Sequence, residues 1–183
     1  MQYTIDMKAL CALVHLSGKQ GVRFCLNGVC VEFRETETVY VATNGHVLGV
    51  ITDPQRNEFP AKVIIPRDVI ERIKLHKASH EAELHVSEDG KCRLVYSVQG
   101  VDMGFTPLDG TFPDWRRVVP EKASGEAGNY DFELLALFTK ANKVLGKSFH
   151  PGYCKLEQNG PASGALVRLV DERFVGVVMP VRI

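Results

Sequence analysis

Three times along the chain a short extended run leads into a helix, and three strand-like runs follow. This repeat limits the possible folds more than any other feature. In the first copy residues 2–5 are extended, Asp6 is placed to cap a helix, and Met7, Leu10, Leu13 and Val14 recur at helical spacing. Gly18 and Gly21 bracket the helix end. Residues 29–34, 39–43 and 46–51 read as strands, with Val29, Val31 and Phe33 alternating onto one face. Asn44-Gly45 separates the last two, and both residues tolerate the positive φ of a tight hairpin.

The pattern restarts at residues 61–65. Pro66 suits a first helical turn, and Val69, Ile70, Ile73 and Lys77 carry the spacing on, which predicts a helix over 66–80. Strand-like runs follow at 81–87, 91–98 and 101–108, with Gly90 and Gly100 at the joints. Residues 111–128 hold Pro113, Pro120, Gly125 and Gly128 and read as a linker. The third copy opens at Asn129-Tyr130, caps at Asp131, and runs through Leu134, Leu135, Phe138, Ala141, Val144 and Leu145. Its strands are expected at 153–158, 165–170 and 174–182.

A helix with one apolar stripe beside three antiparallel strands is a two-layer α+β unit, with the helix on one face of the sheet. Such a unit leaves sheet edges open, so it needs neighbours in an array or a ring. With 183 residues, 45% of them hydrophobic, the chain can bury a core. No run approaches eighteen apolar residues, and the first ten carry Asp6 and Lys8, so neither a membrane span nor a signal segment is expected. The five cysteines are scattered without a CxxC pair, which predicts a reduced, cytoplasmic protein.

The formal net charge is zero, with 22 basic and 22 acidic residues, and this excludes a polybasic tail. The charge is nevertheless segregated. Residues 6–19, 66–80 and 131–147 hold nine basic and five acidic residues, so the helical segments carry +4 and the remainder −4. Four of those acids lie in first turns, where they complement the helix dipole. The bodies of the helices are basic and suit phosphate contact without base readout. Candidate contacts are Lys8, Lys19, Arg23, Arg72, Lys74, Lys77, Lys140, Lys143 and Lys147.

Catalysis has little support. His76 and His80 would share a helical face as i and i+4, with His85 nearby, but no HExxH accompanies them. No Walker loop, GxGxxG or nucleophile elbow is present. Neither a metal nor a cofactor is expected.

Five strings fall in an order that is recognisable: Val22-Arg23-Phe24-Cys25-Leu26-Asn27-Gly28, Val41-Ala42-Thr43-Asn44-Gly45-His46-Val47-Leu48, Ile64-Ile65-Pro66-Arg67, Gly110-Thr111-Phe112-Pro113-Asp114-Trp115-Arg116-Arg117-Val118 and Val178-Met179-Pro180-Val181-Arg182-Ile183. In register over nearly the whole chain, they resemble the bacterial DNA polymerase III beta sliding clamp family. Residues 1–120 resemble a complete clamp domain of two half-units, about 1–55 and 56–110, plus a linker. Residues 121–183 resemble half of a further domain.

The resemblance implies a DNA-clamp fold and a processivity factor: a ring with helices inside and sheet outside, around duplex DNA. It also implies a pocket for short linear peptides of a replicative polymerase or clamp loader. Residue by residue, that pocket falls on Leu26, Thr43, Gly45, His46 and Leu48 in the first unit, and on Pro113, Arg117 and Val118 in the linker. At the chain's end it falls on Val177, Met179, Pro180, Val181 and Arg182. Val47 departs from the family, which usually has Arg at that place. Apolar walls with an adaptable Met suit a partner's Leu or Phe.

Helices packed about 10 Å apart leave an opening of roughly 9 Å for six, a marginal opening of roughly 19 Å for nine and roughly 28 Å for twelve, against a duplex of about 20 Å. At three helices per chain, twelve means a homotetramer ring. The resemblance implies that adjacent units alternate in direction around the ring, so with an odd number of units per chain like ends are expected to meet, second unit against second and third against third. The competing reading is a clamp-like decoy or regulator that forms no ring and competes for clamp-binding peptides or caps a host clamp.

Overall fold

The computed structural model describes residues 1–19, 22–146 and 153–181; Gly21, Lys147 and Arg182 lie outside the described residues. The first copy is β1 (Gln2–Asp6), α1 (Met7–Leu13), β2 (Gly28–Phe33), β3 (Thr38–Thr43) and β4 (Val47–Asp53). The second is β5 (Ala61–Pro66), α2 (Arg67–Glu71), β6 (Glu81–Val86), β7 (Cys92–Tyr96) and β8 (Val101–Phe105). The third is α3 (Phe132–Leu145), β9 (Lys155–Glu157), β10 (Ala165–Arg168) and β11 (Phe174–Val178). The expected α+β repeat is therefore present, with helices on one face of antiparallel sheets.

Opening strands are exchanged between the first two copies. β1 leaves its own unit and pairs with β6, while β5 pairs with β2. The sheets run β1-β6-β7-β8 and β5-β2-β3-β4-β11-β10-β9. Tyr3 of β1 stacks on Phe33 of β2 at 3.9 Å between ring centroids, so aromatic packing ties one sheet to the other. The Tyr40 hydroxyl on β3 accepts a 2.8 Å bond from the Asp6 amide, and the Asp6 carboxylate accepts from the amides of Lys8 and Ala9 to cap α1.

The strand period of two divides the larger sheet into two faces. Val29, Val31, Phe33, Tyr40, Val47 and Ile51 point towards the helices. Cys30, Val39, Val41, Leu48 and Val50 point the other way and meet Phe112 from the segment after β8. That segment, expected as a linker, is packed. Trp115 Nε1 and the Arg116 guanidinium both donate to Glu32 on β2, whose side chain is nearly buried.

The helix expected over 66–80 ends at Glu71. Val69, Ile70 and Ile73 are buried as the spacing required. Beyond them the buried Tyr96 takes the chain out of helix: its hydroxyl accepts from the His76 amide at 3.0 Å and donates to the Ser79 carbonyl at 2.6 Å. The His76 ring accepts from the amides of Ala78 and Ser79, so His76 and His80 do not share a helical face. Lys74 and Lys77 consequently lie on an irregular segment, not on a helix. Asn129-Tyr130, expected to open the third copy, form no strand, although the Asn129 carbonyl accepts from the Val181 amide at 2.7 Å.

The third copy joins the first through β4 and β11, and an ionic cluster reinforces the join. Arg173 contacts Asp171 at 2.9 Å, Asp6 at 3.2 Å and Asp53 at 3.4 Å. Burial works to raise the Asp171 pKa, but the bonds from Arg173 outweigh it and hold the carboxyl below its ordinary 3.8. A depressed carboxylate contributes stability above its unfolded value, and that contribution is lost as pH falls through the folded value. Arg173→Ala is therefore expected to cost about 2 kcal/mol at neutral pH, less than a fully buried pair because the guanidinium is partly exposed. Urea unfolding at several pH values checks this, and the difference from wild type should shrink below about pH 4.

Candidate functional site

A cleft of about 260 Å³ opens on the sheet face opposite the helices. Local hydrogen bonds set its floor. Gly45 has φ +95, which permits the turn between β3 and β4. The Asn44 side chain accepts from the amides of His46 and Val47, and Thr43 Oγ1 donates to the Val47 carbonyl at 2.6 Å. The Met179 amide donates to the His46 carbonyl at 2.9 Å, so the end of β11 is fastened to the same turn. Leu48 and Val177 then face each other across the β4–β11 register.

Of the expected pocket residues, Leu26, Thr43, Gly45, His46, Leu48, Pro113, Val118, Val177 and Met179 line this one cleft. Arg117, Pro180 and Val181 do not; the Arg117 side chain turns to Asp114 at 2.9 Å. Arg182 lies outside the described residues. The cleft also takes in Val47, Asp114 and Trp115, and Arg23, a candidate phosphate contact by sequence. Arg116 stacks on Trp115 with its guanidinium 4.1 Å from the ring centroid, so the indole is fixed by a cation–π contact as well as by Glu32. The Glu32 bonds anchor this wall to β2. Little but the placement of Pro113 and Val118 in one short turn pointed to Trp115 beforehand.

The lining is dominated by aliphatic and aromatic carbon, with His46, Arg23 and Asp114 as the ionisable groups. Such a surface has the chemistry to accept apolar side chains, with polar groups at the edge. Nothing in it joins a nucleophile to a base. The thiols of Cys30 and Cys11 are pushed up to about 12 by burial, which leaves them protonated and inert.

The opposite face carries the cations. Lys140 and Lys143 are exposed on α3, Lys19 is exposed beyond α1, and Lys8 is half-buried on α1. The His15 imidazole, in the short 3-10 turn that follows α1, is held below its usual pKa by burial and by Arg67, Lys140 and Lys19. Those three cations come from three different segments, and Glu71 opposes them. Arg67 is committed elsewhere: its guanidinium donates to the Val14 carbonyl at 2.7 Å and pairs with Glu71. Arg72 pairs with Asp68 at 3.2 Å on an exposed turn. Among the described residues no helix is long and apolar enough to cross a membrane.

Residues 5–114 match the family described as DNA polymerase III beta subunit, central domain. The beta sliding clamp of Vibrio cholerae is 32% identical over 166 residues, covering 86% of this chain and 45% of the relative. The chain belongs to the beta sliding clamp family. The clamp of Salmonella typhimurium is 36% identical over 171 residues, 88% of this chain and 46% of its own length. Among solved structures, the sliding clamp of Bacillus subtilis superposes with a TM-score of 0.77 at 16% identity, covering all of this chain and 64% of that one. That of Pseudomonas aeruginosa gives 0.75 at 19% identity, covering all of this chain and 66% of that one. These superpositions bear on the fold, which is the sliding-clamp fold. The chain spans about half the length of the curated clamps it matches.

Proposed function

We propose that the chain is a non-enzymatic sliding clamp that encircles duplex DNA and recruits a polymerase or clamp loader through the cleft. The observation that carries this reading is the division of one sheet between two surfaces. The same strands hold exposed cations over one face and an apolar, peptide-sized cleft on the other. A tether needs both at once. The cationic wall must bind backbone phosphate without reading bases, so that the protein slides. The cleft must hold its partner while that motion continues.

In this reading residues 1–120 form a complete clamp domain and 121–183 half of another. Four copies close a twelve-helix ring by joining at two sheet edges, β8 and β9, each of which has a pairing strand on one side only among the described residues. The test is primer extension on primed circular single-stranded DNA by a clamp-dependent bacterial polymerase. Longer products on addition of the protein are the expected result. A product length unchanged from polymerase alone overturns the reading.

One observation favours a second reading. The first unit, the segment after β8 and the end of β11 of a single chain already form the cleft, so peptide capture in this reading needs no ring. A clamp-like decoy would shorten products made with a full-length clamp and would not lengthen them without one.

The cationic wall makes its own prediction. Lys140→Glu with Lys143→Glu should lower the dependence of log affinity on log salt by about two phosphate contacts on a linear duplex. Fluorescence anisotropy across a salt series measures that slope. Peptide binding on the other face should be unchanged.

A further inference from the structure

The chain contains a worked example of how two clamp units join. β4 and β11 are each the last strand of a three-stranded set, and they pair antiparallel over five residues, centred on Gly49 opposite Gly176. The join seals both faces of the sheet. Val47 and Ile51 on the helix side are 2% and 0% exposed, and Leu48 and Val177 are buried on the other.

β8 is the last strand of the second unit, and among the described residues only β7 pairs with it. Its helix-side row is Val101, Met103 and Phe105. These pack on the core yet stay half-exposed, where the matching row of β4 is covered. On the other face Asp102 is already answered within the chain: Arg93 of β7 donates to it at 2.7 Å from Nε. Gly104 is nearly unobstructed, since an added Cβ would meet no atom nearer than the Cys92 carbonyl oxygen at 3.9 Å. The edge is therefore apolar on the core side, neutralised on the outer side and open at its fourth residue.

We propose that β8 is a self-complementary interface, pairing antiparallel with β8 of a second copy about a twofold axis through Met103. This register engages all five residues. Val101 faces Phe105 of the second copy, Asp102 faces Gly104, and Met103 faces Met103. Moving the axis to Asp102 would set two carboxylates opposite each other, which is destabilising. Moving it to Gly104 would oppose two glycines and leave Val101 without a partner. The chosen register makes one eight-stranded sheet from two four-stranded ones and covers the half-exposed row, as β11 covers β4. It deepens the ring reading by naming one joint, and it is tested apart from that reading.

The experiment is disulfide trapping with sedimentation. Residues opposite each other in an antiparallel pair have Cα atoms about 4.5–5.5 Å apart, within the reach of a disulfide. Met103→Cys should give a covalent dimer under mild oxidation, while wild type with its own five cysteines gives none. Val101→Cys alone should not cross-link, but mixed with Phe105→Cys it should. Met103→Arg, which opposes two cations on the axis, should lower the sedimenting mass at least twofold relative to wild type. A monomeric wild type at 50 μM, or Met103→Cys that cross-links no faster than Val101→Cys, overturns the pairing. If multimers persist and primer extension is still stimulated without cross-linking at 103, the pairing fails and the clamp reading stands. If 103 cross-links and extension is not stimulated, the pairing stands and the clamp reading fails.

Discussion

Phe138→Ala is expected to lower the unfolding free energy by about 4 kcal/mol. Phe138 is fully buried on α3 and meets Phe174 of β11 edge-on, with centroids 6.2 Å apart and planes at 81°. Gly176 is what lets the ring approach: a Cβ there would lie 2.7 Å from Phe138 Cε1. The backbone of β11 is thus shaped to this one side chain, so truncation leaves a void that the sheet fills only partly. The loss combines transfer of the ring, the cavity, and the aromatic contact itself. In urea the midpoint should fall with little change in slope, because the surface exposed on unfolding is nearly the same. Phe138→Leu keeps most of the volume and should cost less than half as much. Because Phe174 sits opposite Ile51 in the β4–β11 register, the damage falls at the join between the first and third units. Amide exchange should therefore rise first in β11 and β10, ahead of β6 and β7 in the other sheet.

The residues that made this core legible in the sequence were those whose partners are set by local period. Val29, Val31 and Phe33 alternate, and they lie together beneath the helices. Leu134, Phe138, Ala141 and Leu145 recur at helical spacing, and Phe138, Ala141 and Leu145 are buried. What escaped the reading depends on distant partners. Nothing near Val69 and Ile73 announces that Tyr96 will hold residues 76–79 out of a helix. Period alone also cannot tell which sheet an opening strand joins. β1 and β5 are equally good strands in their own units, and the exchange is set by pairing with strands distant in sequence, β6 for β1 and β2 for β5. The cleft shows the same division. Its strand residues came through family strings placed in order, whereas Arg23 and Trp115 enter because a folded segment crosses the sheet and is pinned at Glu32. A sequence places a charge on a segment; only packing decides which face that segment turns outward.

That division sets the second large effect, on the cleft. Val118→Asp is expected to weaken binding of a fluorescein-labelled peptide carrying Leu and Phe by on the order of 30-fold, about 2 kcal/mol, the value of burying one large apolar side chain. Val118 lines the cleft while remaining 49% exposed, so the substitution alters the wall without opening the core. A carboxylate there keeps its water, and an apolar side chain seated against it would have to strip that water away. The neighbouring Asp114 adds like charge, which leaves the new carboxylate less able to find compensation than one near Arg23. Val98→Asp is the matched control. Val98 is 48% exposed in the short turn after β7, away from the cleft, and its replacement should leave peptide affinity at the wild-type value. Anisotropy titration gives both affinities, and thermal melts of the two variants should match each other. Equal weakening by both substitutions would mean that the peptide responds to overall negative charge. A loss confined to Val118→Asp places the peptide against the turn that Trp115 and Arg116 anchor to Glu32.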